Sequence, residues 1–335
     1  MRHSAQPISS SRLFKIIIFV LLFIVTPYRI ISVLLEWWRG PTLALAYATL
    51  LMENSGTTET GDDYFRSIRL LNYQLKHDEK TRTQHSIPLL VLVTPEVHQW
   101  KRKQLSDEGA TVVAVEKFDS AWIKPGAPRW QDVMTKLRLF EFEEFDRILF
   151  LDADTFLLRP LDGVFKERVT APRRTLHNSR YKADEGPLPN EFVFATLSEV
   201  THVIHDYPPV PMSYFNAGFF LFAPSKALLQ YYRSLFHLKD RFDTTYPEQN
   251  LLNYAHRLDG NMPWGRLHHS WNIVLPNMDD VKAGVASVHA KLWTEGEALK
   301  PVPRGLQEMW RKKNKEMEEF YKRKANQSDK IHRLP

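Results

Sequence analysis

The chain has 335 residues, 43% of them hydrophobic and 25% charged, with a formal net charge of +6 and no cysteine. That length allows one large α/β domain or two smaller ones, each with a sizeable core. The absence of thiols excludes disulfides, thiol catalysis and cysteine metal sites. The basic excess is dispersed, with no dense block interleaved with aromatics, so it argues against nucleic acid as a partner and only weakly for anionic ligands.

Leu13–Val25 reads LFKIIIFVLLFIV, with Arg2 and Arg12 ahead of it. The run is short beside the roughly 20 residues of a full span. No small-x-small cleavage site follows at Thr26, Pro27, Tyr28 and Arg29, and Trp37-Trp38 suit an interfacial belt. The expectation is a short cytoplasmic tail at 1–12 and an uncleaved, single-pass type II signal anchor at 13–35, preferred over a cleaved peptide or a buried core helix.

From Leu43 onward strands and helices alternate. Leu43–Met52 reads as a buried strand, Asn54–Asp62 as a polar loop, and Asp62–Leu75 as a helix with Phe65, Ile68, Leu71 and Leu75 on one face. Ile87–Thr94 is a strand, Pro95–Glu108 a charged helix, Ala110–Val115 a strand, Met134–Phe145 an amphipathic helix and Arg147–Leu151 a fourth strand. Apolar strands with little alternation fit a parallel sheet covered on both faces. In such sheets ligands bind beyond the carboxyl ends of the strands.

Beyond Pro160 the pattern loosens. Ala171–Pro189 reads as a loop, Phe192–Leu197 and Phe219–Phe222 as strands, Ser225–Phe242 and Pro247–His256 as helices. Arg304–Lys324 is a charged helix whose Arg311, Lys312, Lys313 and Lys315 are expected on a solvated face.

The chemistry concentrates at Leu151-Asp152-Ala153-Asp154-Thr155. Residues i and i+2 of an extended segment project to the same side, so two carboxylates converge at a strand end. Hard divalent cations take oxygen ligands of this kind together with substrate phosphates. His289 ends an apparent strand, GVASVH, although a lone histidine is more often structural. His268-His269 is not read as a metal pair, because adjacent residues in a strand point opposite ways. A strand followed by Asp-x-Asp-x-Thr also opens the haloacid dehalogenase phosphatases, with Asp152 as nucleophile and Asp154 as acid/base. Two features count against that alternative. About three strands precede the motif, and the downstream pair Asp279-Asp280 follows Pro276 and Asn277 rather than a strand end.

In this order of segments the chain resembles the family 8 glycosyltransferases, the glycogenin-like group, over roughly Ala46 to Trp293. Tyr47-Ala48-Thr49-Leu50 resembles the first strand, which contacts the nucleotide base. Tyr64 resembles a tyrosine that stacks on uracil, Met134-Thr135-Lys136-Leu137 the helix start whose lysine faces the donor, and Arg147–Thr155 the metal-binding strand. Tyr214-Phe215-Asn216-Ala217-Gly218-Phe219 resembles the segment near the donor sugar, Glu248-Gln249 the Asp-Gln pair of the sugar pocket, and Val288-His289 the late histidine that completes metal coordination. Two departures stand out. Glu248 replaces the common Asp, and His289-Ala290-Lys291-Leu292-Trp293 differs from the usual run, with Lys291 as the candidate pyrophosphate-facing lysine. No self-glucosylating tyrosine has a counterpart.

The resemblance implies a single GT-A type, Rossmann-like nucleotide-sugar-binding α/β domain at 40–300. Its sheet is mixed and mainly parallel, and a charged C-terminal helix and tail follow at 301–335. It implies Mn²⁺ (or Mg²⁺) on Asp152, Asp154 and His289, and a UDP-sugar as donor. The donor-binding residues are Thr49, Leu50, Tyr64, Lys136, Asp152, Ala153, Asp154, Asn216, Ala217, Gly218, Glu248, Gln249 and Lys291. Gln249, Glu248 and Asn216 are the candidate catalytic residues around the sugar, and Lys136 or Lys291 adds charge stabilisation. The expected activity is retaining transfer of a hexose or N-acetylhexosamine to a glycan or glycoprotein acceptor, with the catalytic part in the Golgi lumen. A non-catalytic nucleotide-sugar-binding relative is the other alternative.

Overall fold

The computed structural model of the protein describes residues 43–53, 62–118, 123–127, 132–178, 180–294, 296–297 and 300–332. The expected tail at 1–12, the anchor at 13–35 and nearly all of the loop at 54–62 lie outside these. Among the described residues no helix is long and apolar enough to cross a membrane.

The first half runs β1 (Leu45–Leu51), α1 (Asp63–Lys76), β2 (Leu89–Val93), α2 (Gln99–Asp107), β3 (Thr111–Ala114), a 3₁₀ helix (Val133–Glu141) and β4 (Arg147–Leu151). There follow β5 (Thr155–Leu157), β6 (Arg173–Arg174), β7 (Glu191–Phe192), β8 (Phe194–Ser198), β9 (Phe215–Phe222), α3 (Lys226–Leu235) and α4 (Pro247–Ala255). The chain closes with β10 (Gly265–Arg266), β11 (Ile273–Val274), α5 (Met278–Lys282), β12 (Ser287–His289), β13 (Gly296–Glu297), β14 (Lys300–Pro301) and α6 (Arg304–His332).

Seven strands form the main sheet in the order β10-β8-β9-β4-β1-β2-β3. β1 pairs in parallel with β2 and β4, β2 with β3, and β10 with β8. β9 runs antiparallel to both β4 and β8. The sheet is therefore mixed and mainly parallel, as expected. Successive residues along the strands feed two cores. Ala48, Leu50, Ile148, Phe150 and Phe220 enter one, while Tyr47, Leu51, Leu149, Leu151 and Phe219 enter the other. Burial on both faces is what makes these strands read as continuous apolar runs.

Strand order reverses at β1, which has β2 on one side and β4 on the other, and a crevice opens beyond the carboxyl ends at such a switch point. A second sheet, β11-β12-β5, borders it. There β12 runs antiparallel to β5 and pairs His289 with Thr155. That register brings a histidine far along the chain beside Asp154.

Several elements differ from the sequence expectation, among them α2, which starts at Gln99 rather than Pro95, and β6, which lies inside the expected loop Ala171–Pro189. The amphipathic helix at Met134–Phe145 is a 3₁₀ helix over Val133–Glu141, whose three-residue period aligns Val133, Lys136 and Leu139 in one row. β9 starts at Phe215, four residues early, and so contains Asn216 and Gly218. α3, capped by the Ser225 hydroxyl accepting from the Leu228 amide at 3.2 Å, stops at Leu235. α6 runs on to His332 and packs Leu306, Trp310, Met317 and Tyr321 into a third core. On that helix Lys313 is not on a solvated face: it is 18% exposed and pairs with Asp78 at 3.1 Å and Glu316 at 2.6 Å.

Candidate active site

A cleft of about 600 Å³ lies at the carboxyl ends of β1 and β4. Its walls include Leu50, Tyr64, Lys136, Asp152, Ala153, Asp154, Asn216, Glu248, Gln249, His289 and Lys291. Eleven of the expected donor and metal residues thus share one cavity, although they come from seven separate segments of the chain.

Asp152, Asp154 and His289 each offer one ligand atom, and the three atoms lie within 4.8 Å of one another. His289 Nε2 is 2.9 Å from Asp154 Oδ1 and 3.6 Å from Asp152 Oδ2. Burial would lower the imidazole pKa, but the two carboxylates outweigh it and push it up to about 9. Desolvation raises Asp152, whereas His289 holds Asp154 below the ordinary carboxylate range against the same desolvation. The donor set of two carboxylates and an imidazole fits a hard or borderline divalent cation. The cradle fits too, because a Cβ at Gly218 would lie 2.6 Å from Asp152 Oδ2 and 2.2 Å from His289 Cε1. Only glycine keeps β9 this close to the trio.

Lys136 is the buried cation of the site. Its Nζ lies 3.2 Å from Asp152 Oδ1, 3.1 Å from Glu248 Oε1 and 3.3 Å from the Ala217 carbonyl. Desolvation would discharge it, but Asp152 and Glu248 raise its pKa above the ordinary lysine value. Lys291 stands on another wall, 5.7 Å over the ring of Tyr64, which itself meets Trp293 edge-on at 5.2 Å. The two lysines therefore serve different parts of the cleft, Lys136 beside Glu248 and Lys291 beside Tyr64.

The amides are oriented by backbone and by an acid. Asn216 Oδ1 accepts from the Gly218 amide at 2.8 Å, and Gln249 Oε1 accepts from the Ala217 amide at 3.0 Å. Their amino groups donate to Glu199 Oε2 at 3.3 and 3.4 Å. Gln249 also donates to the Tyr214 hydroxyl at 2.9 Å, and Tyr214, raised to about 12 mainly by burial, stays a neutral phenol. α4 presents Glu248 and Gln249 from its first turn, after Pro247.

Three expected residues do not line the cleft. Thr49 is fully buried within β1. Ala217 and Gly218 act through their backbone and their small size. Conversely, Glu199, Val200, Thr201, Met212, Tyr214 and Tyr246 line the cleft without having been picked out as site residues. Tyr214 lay in a segment already noted, but nothing about an isolated glutamate after β8 marked Glu199.

The acidic pair Asp279-Asp280 and the pair His268-His269 are engaged elsewhere. Asn277 caps α5 by accepting from the Asp279 and Asp280 amides, and Asp280 accepts in return from the Asn277 amide at 2.7 Å. That capping box takes up Asp280 and the Asp279 carboxylate pairs with Lys282 at 2.8 Å, so the second acidic pair the phosphatase reading needed is used at a helix end. His269 bonds Ser198, and His268 accepts from the Ser270 amide, so the two share no site.

Comparisons with known proteins show the family. The model of glycosyl transferase family 8 matches residues 66–293, more than half of the chain. The chain belongs to glycosyl transferase family 8. It is a glycosyltransferase by family, and its α/β architecture is the one the family resemblance implied. An uncharacterized protein of Schizosaccharomyces pombe is 29% identical over 270 residues, 71% of this chain and 71% of that one. Galactinol synthase 3 of Arabidopsis thaliana is 27% identical over 224 residues, covering 62% of this chain and 59% of the plant protein. Among solved structures, the apo form of the Streptococcus pneumoniae glycosyltransferase GlyE matches with a TM-score of 0.49 at 14% identity, over 85% of this chain and 64% of that one.

Proposed function

We propose that this family 8 protein is a metal-dependent, retaining transferase that moves a hexose or N-acetylhexosamine from a UDP-sugar to a glycan or glycoprotein acceptor. The observation that carries the reading is the trio of Asp152, Asp154 and His289 within 4.8 Å, beside the buried ammonium of Lys136. A divalent cation held by the trio, Mn²⁺ or Mg²⁺, would supply Lewis-acid stabilisation of the departing diphosphate.

The chain's own groups would do the rest. Tyr64 and Leu50 wall the nucleoside end, and Lys291 beside Tyr64 offsets phosphate charge. Asn216, Glu248 and Gln249 hold the sugar hydroxyls, with their amides fixed in advance by Glu199 and the β9 backbone. Lys136 bridges Asp152 and Glu248 and holds both carboxylates in place. The apolar run Leu13–Val25 behind Arg2 and Arg12 supports a type II anchor and a Golgi-lumenal location for the catalytic part.

The test is calorimetric titration of UDP into the full-length protein, with and without Mn²⁺, beside Asp154→Asn. Binding that needs both Mn²⁺ and Asp154 supports the reading and opens a donor-sugar screen. No UDP binding under any metal condition sinks it. Metal-dependent UDP binding without turnover of any UDP-sugar favours a non-catalytic relative.

A further inference from the structure

Lys101 sits on α2, outside the cleft, yet it is tied to the cleft's edge. Its side chain is 3% exposed. Its Nζ contacts both carboxylate oxygens of Glu53, at 2.8 and 2.9 Å, and Asp62 Oδ2 at 2.6 Å. The rings of Phe65 and Trp100 flank the ammonium at 5.9 and 5.7 Å. Burial would lower its pKa, but the bonds to Asp62 and Glu53 win and hold it charged.

The two carboxylates stand at places that matter. Glu53 directly follows Met52, the last of three consecutive cleft-lining residues at the end of β1. Asp62 caps α1, its Oδ1 accepting from the Phe65 amide at 2.9 Å, and lies two residues before Tyr64 on the cleft wall. Both acids are themselves largely buried, at 17% and 8% exposure. Without the ammonium they would face each other as like charges in a poorly solvated pocket and push the end of β1 away from the head of α1.

We propose that Lys101 is a positioning residue of the donor site: by bridging Glu53 and Asp62 it fixes the gap between Met52 and Tyr64, and so sets the slot that takes the nucleoside of the donor. The inference rests on the UDP-sugar reading above. It predicts a selective defect. Lys101 acts at the nucleoside end of the cleft, away from the metal end built by the 3₁₀ helix, β4, β9 and β12. Lys291 lies over the Tyr64 ring and shifts with it, so pyrophosphate, held chiefly at the metal end, loses much less than UDP.

The experiment titrates UDP and, separately, inorganic pyrophosphate into full-length protein in Mn²⁺, for wild type, Lys101→Met and Glu53→Ala. Lys101→Met is expected to weaken UDP about tenfold while pyrophosphate stays within about twofold. Glu53→Ala frees the end of β1 but leaves Lys101 paired with Asp62. It should give a smaller loss, again for UDP alone, and it decides the matter if Lys101→Met does not fold. Wild-type UDP affinity in the folded variants overturns the clamp. So does a parallel loss of UDP and pyrophosphate, which is what a merely structural lysine would give. Wild-type protein that binds pyrophosphate but ignores UDP overturns the donor reading itself, and the clamp with it.

Discussion

Gly218 and His289 are neighbours only because one of them has no side chain. A Cβ at Gly218 would fall 2.2 Å from His289 Cε1 and 2.6 Å from its Nδ1, distances no relaxed structure tolerates. The same atom would crowd Asp152. Gly218→Ala is therefore expected to displace the imidazole and one carboxylate together. Mn²⁺-dependent UDP binding should weaken by roughly 10- to 100-fold, the range seen when the surroundings of metal ligands are disturbed. Calorimetry reads it directly, and an alanine variant with wild-type metal dependence would show that the trio does not act as a unit.

Lys136 makes a second prediction, on stability. Its removal leaves Glu248, 11% exposed, and Asp152, 32% exposed, without their shared counter-charge. Breaking a buried pair from one side costs about 3 kcal/mol, taken at the low end of the usual range because Asp152 reaches solvent. Lys136→Met should lose that much in urea unfolding. Saturating Mn²⁺ should return part of it, since a cation on Asp152 relieves one of the two orphaned acids but not Glu248. A loss well under about 1 kcal/mol would mean the ion pair is no more than a surface contact.

The readability of these residues from sequence has a physical basis. Asp152, Asp154 and His289 each stand at or just beyond the end of a short apolar strand, and strand ends are where a mainly parallel sheet gathers its ligands. Pattern alone therefore singles out the two carboxylates, while His289 was singled out because the family resemblance has a late metal ligand there. Lys136 is visible as a residue but not in its setting: the apolar positions around it suit a 3.6-residue period nearly as well as the three-residue period the chain adopts. Along β1 the burial from Ala46 to Leu51 is unbroken, so no alternation separates a residue inside the sheet from one at its edge, and Thr49 and Leu50 were distinguishable only in the structure. Glu199 was invisible for a different reason. It follows a register shift at the end of β8, between Thr196 and Ser198, and its significance lies only in the amides of Asn216 and Gln249, brought to it by tertiary structure.

Glu199 supplies the third prediction. By accepting from both amino groups it obliges Asn216 and Gln249 to keep their oxygens on the β9 backbone. Glu199→Ala frees the Asn216 amide to rotate and removes one of two acceptors of the Gln249 amino group, which keeps the Tyr214 hydroxyl, while the strands that carry them stay paired. Misplacing substrate-holding groups by about 1 Å can cost on the order of 100-fold in rate. Release of UDP from the donor should fall by about that factor, with Mn²⁺-dependent binding of UDP itself preserved. Equal loss of UDP binding and of turnover would instead assign Glu199 to the metal end of the cleft.

The last prediction concerns acid stability and a histidine outside the cleft. His256 is completely buried at the end of α4, stacked on Phe194 at 4.0 Å with planes 5° apart. Its Nδ1 lies 2.8 Å from the Met262 carbonyl, and its Nε2 meets the Tyr232 hydroxyl. Desolvation, only partly opposed by the Met262 carbonyl, pushes its pKa down from 6.5 to about 3. The folded protein thus keeps this ring neutral while the unfolded chain takes up a proton below pH 6.5. Stability is full above that pH and drains away as pH falls from 6.5 toward 3, by at most one proton's worth, about 1.36 kcal/mol per pH unit. Between pH 7 and 4.5 the ring should therefore account for roughly 2–3 kcal/mol of lost stability. His256→Gln keeps a donor and an acceptor in the same place but cannot titrate. Its urea midpoint should start lower at pH 7 and then fall less steeply on acidification than that of the wild type. The remaining carboxylates and histidines contribute the same slope to both proteins, so the difference isolates His256. Parallel slopes for the two would mean that the ring is protonated in the fold, and that Met262 and Tyr232 accommodate an imidazolium.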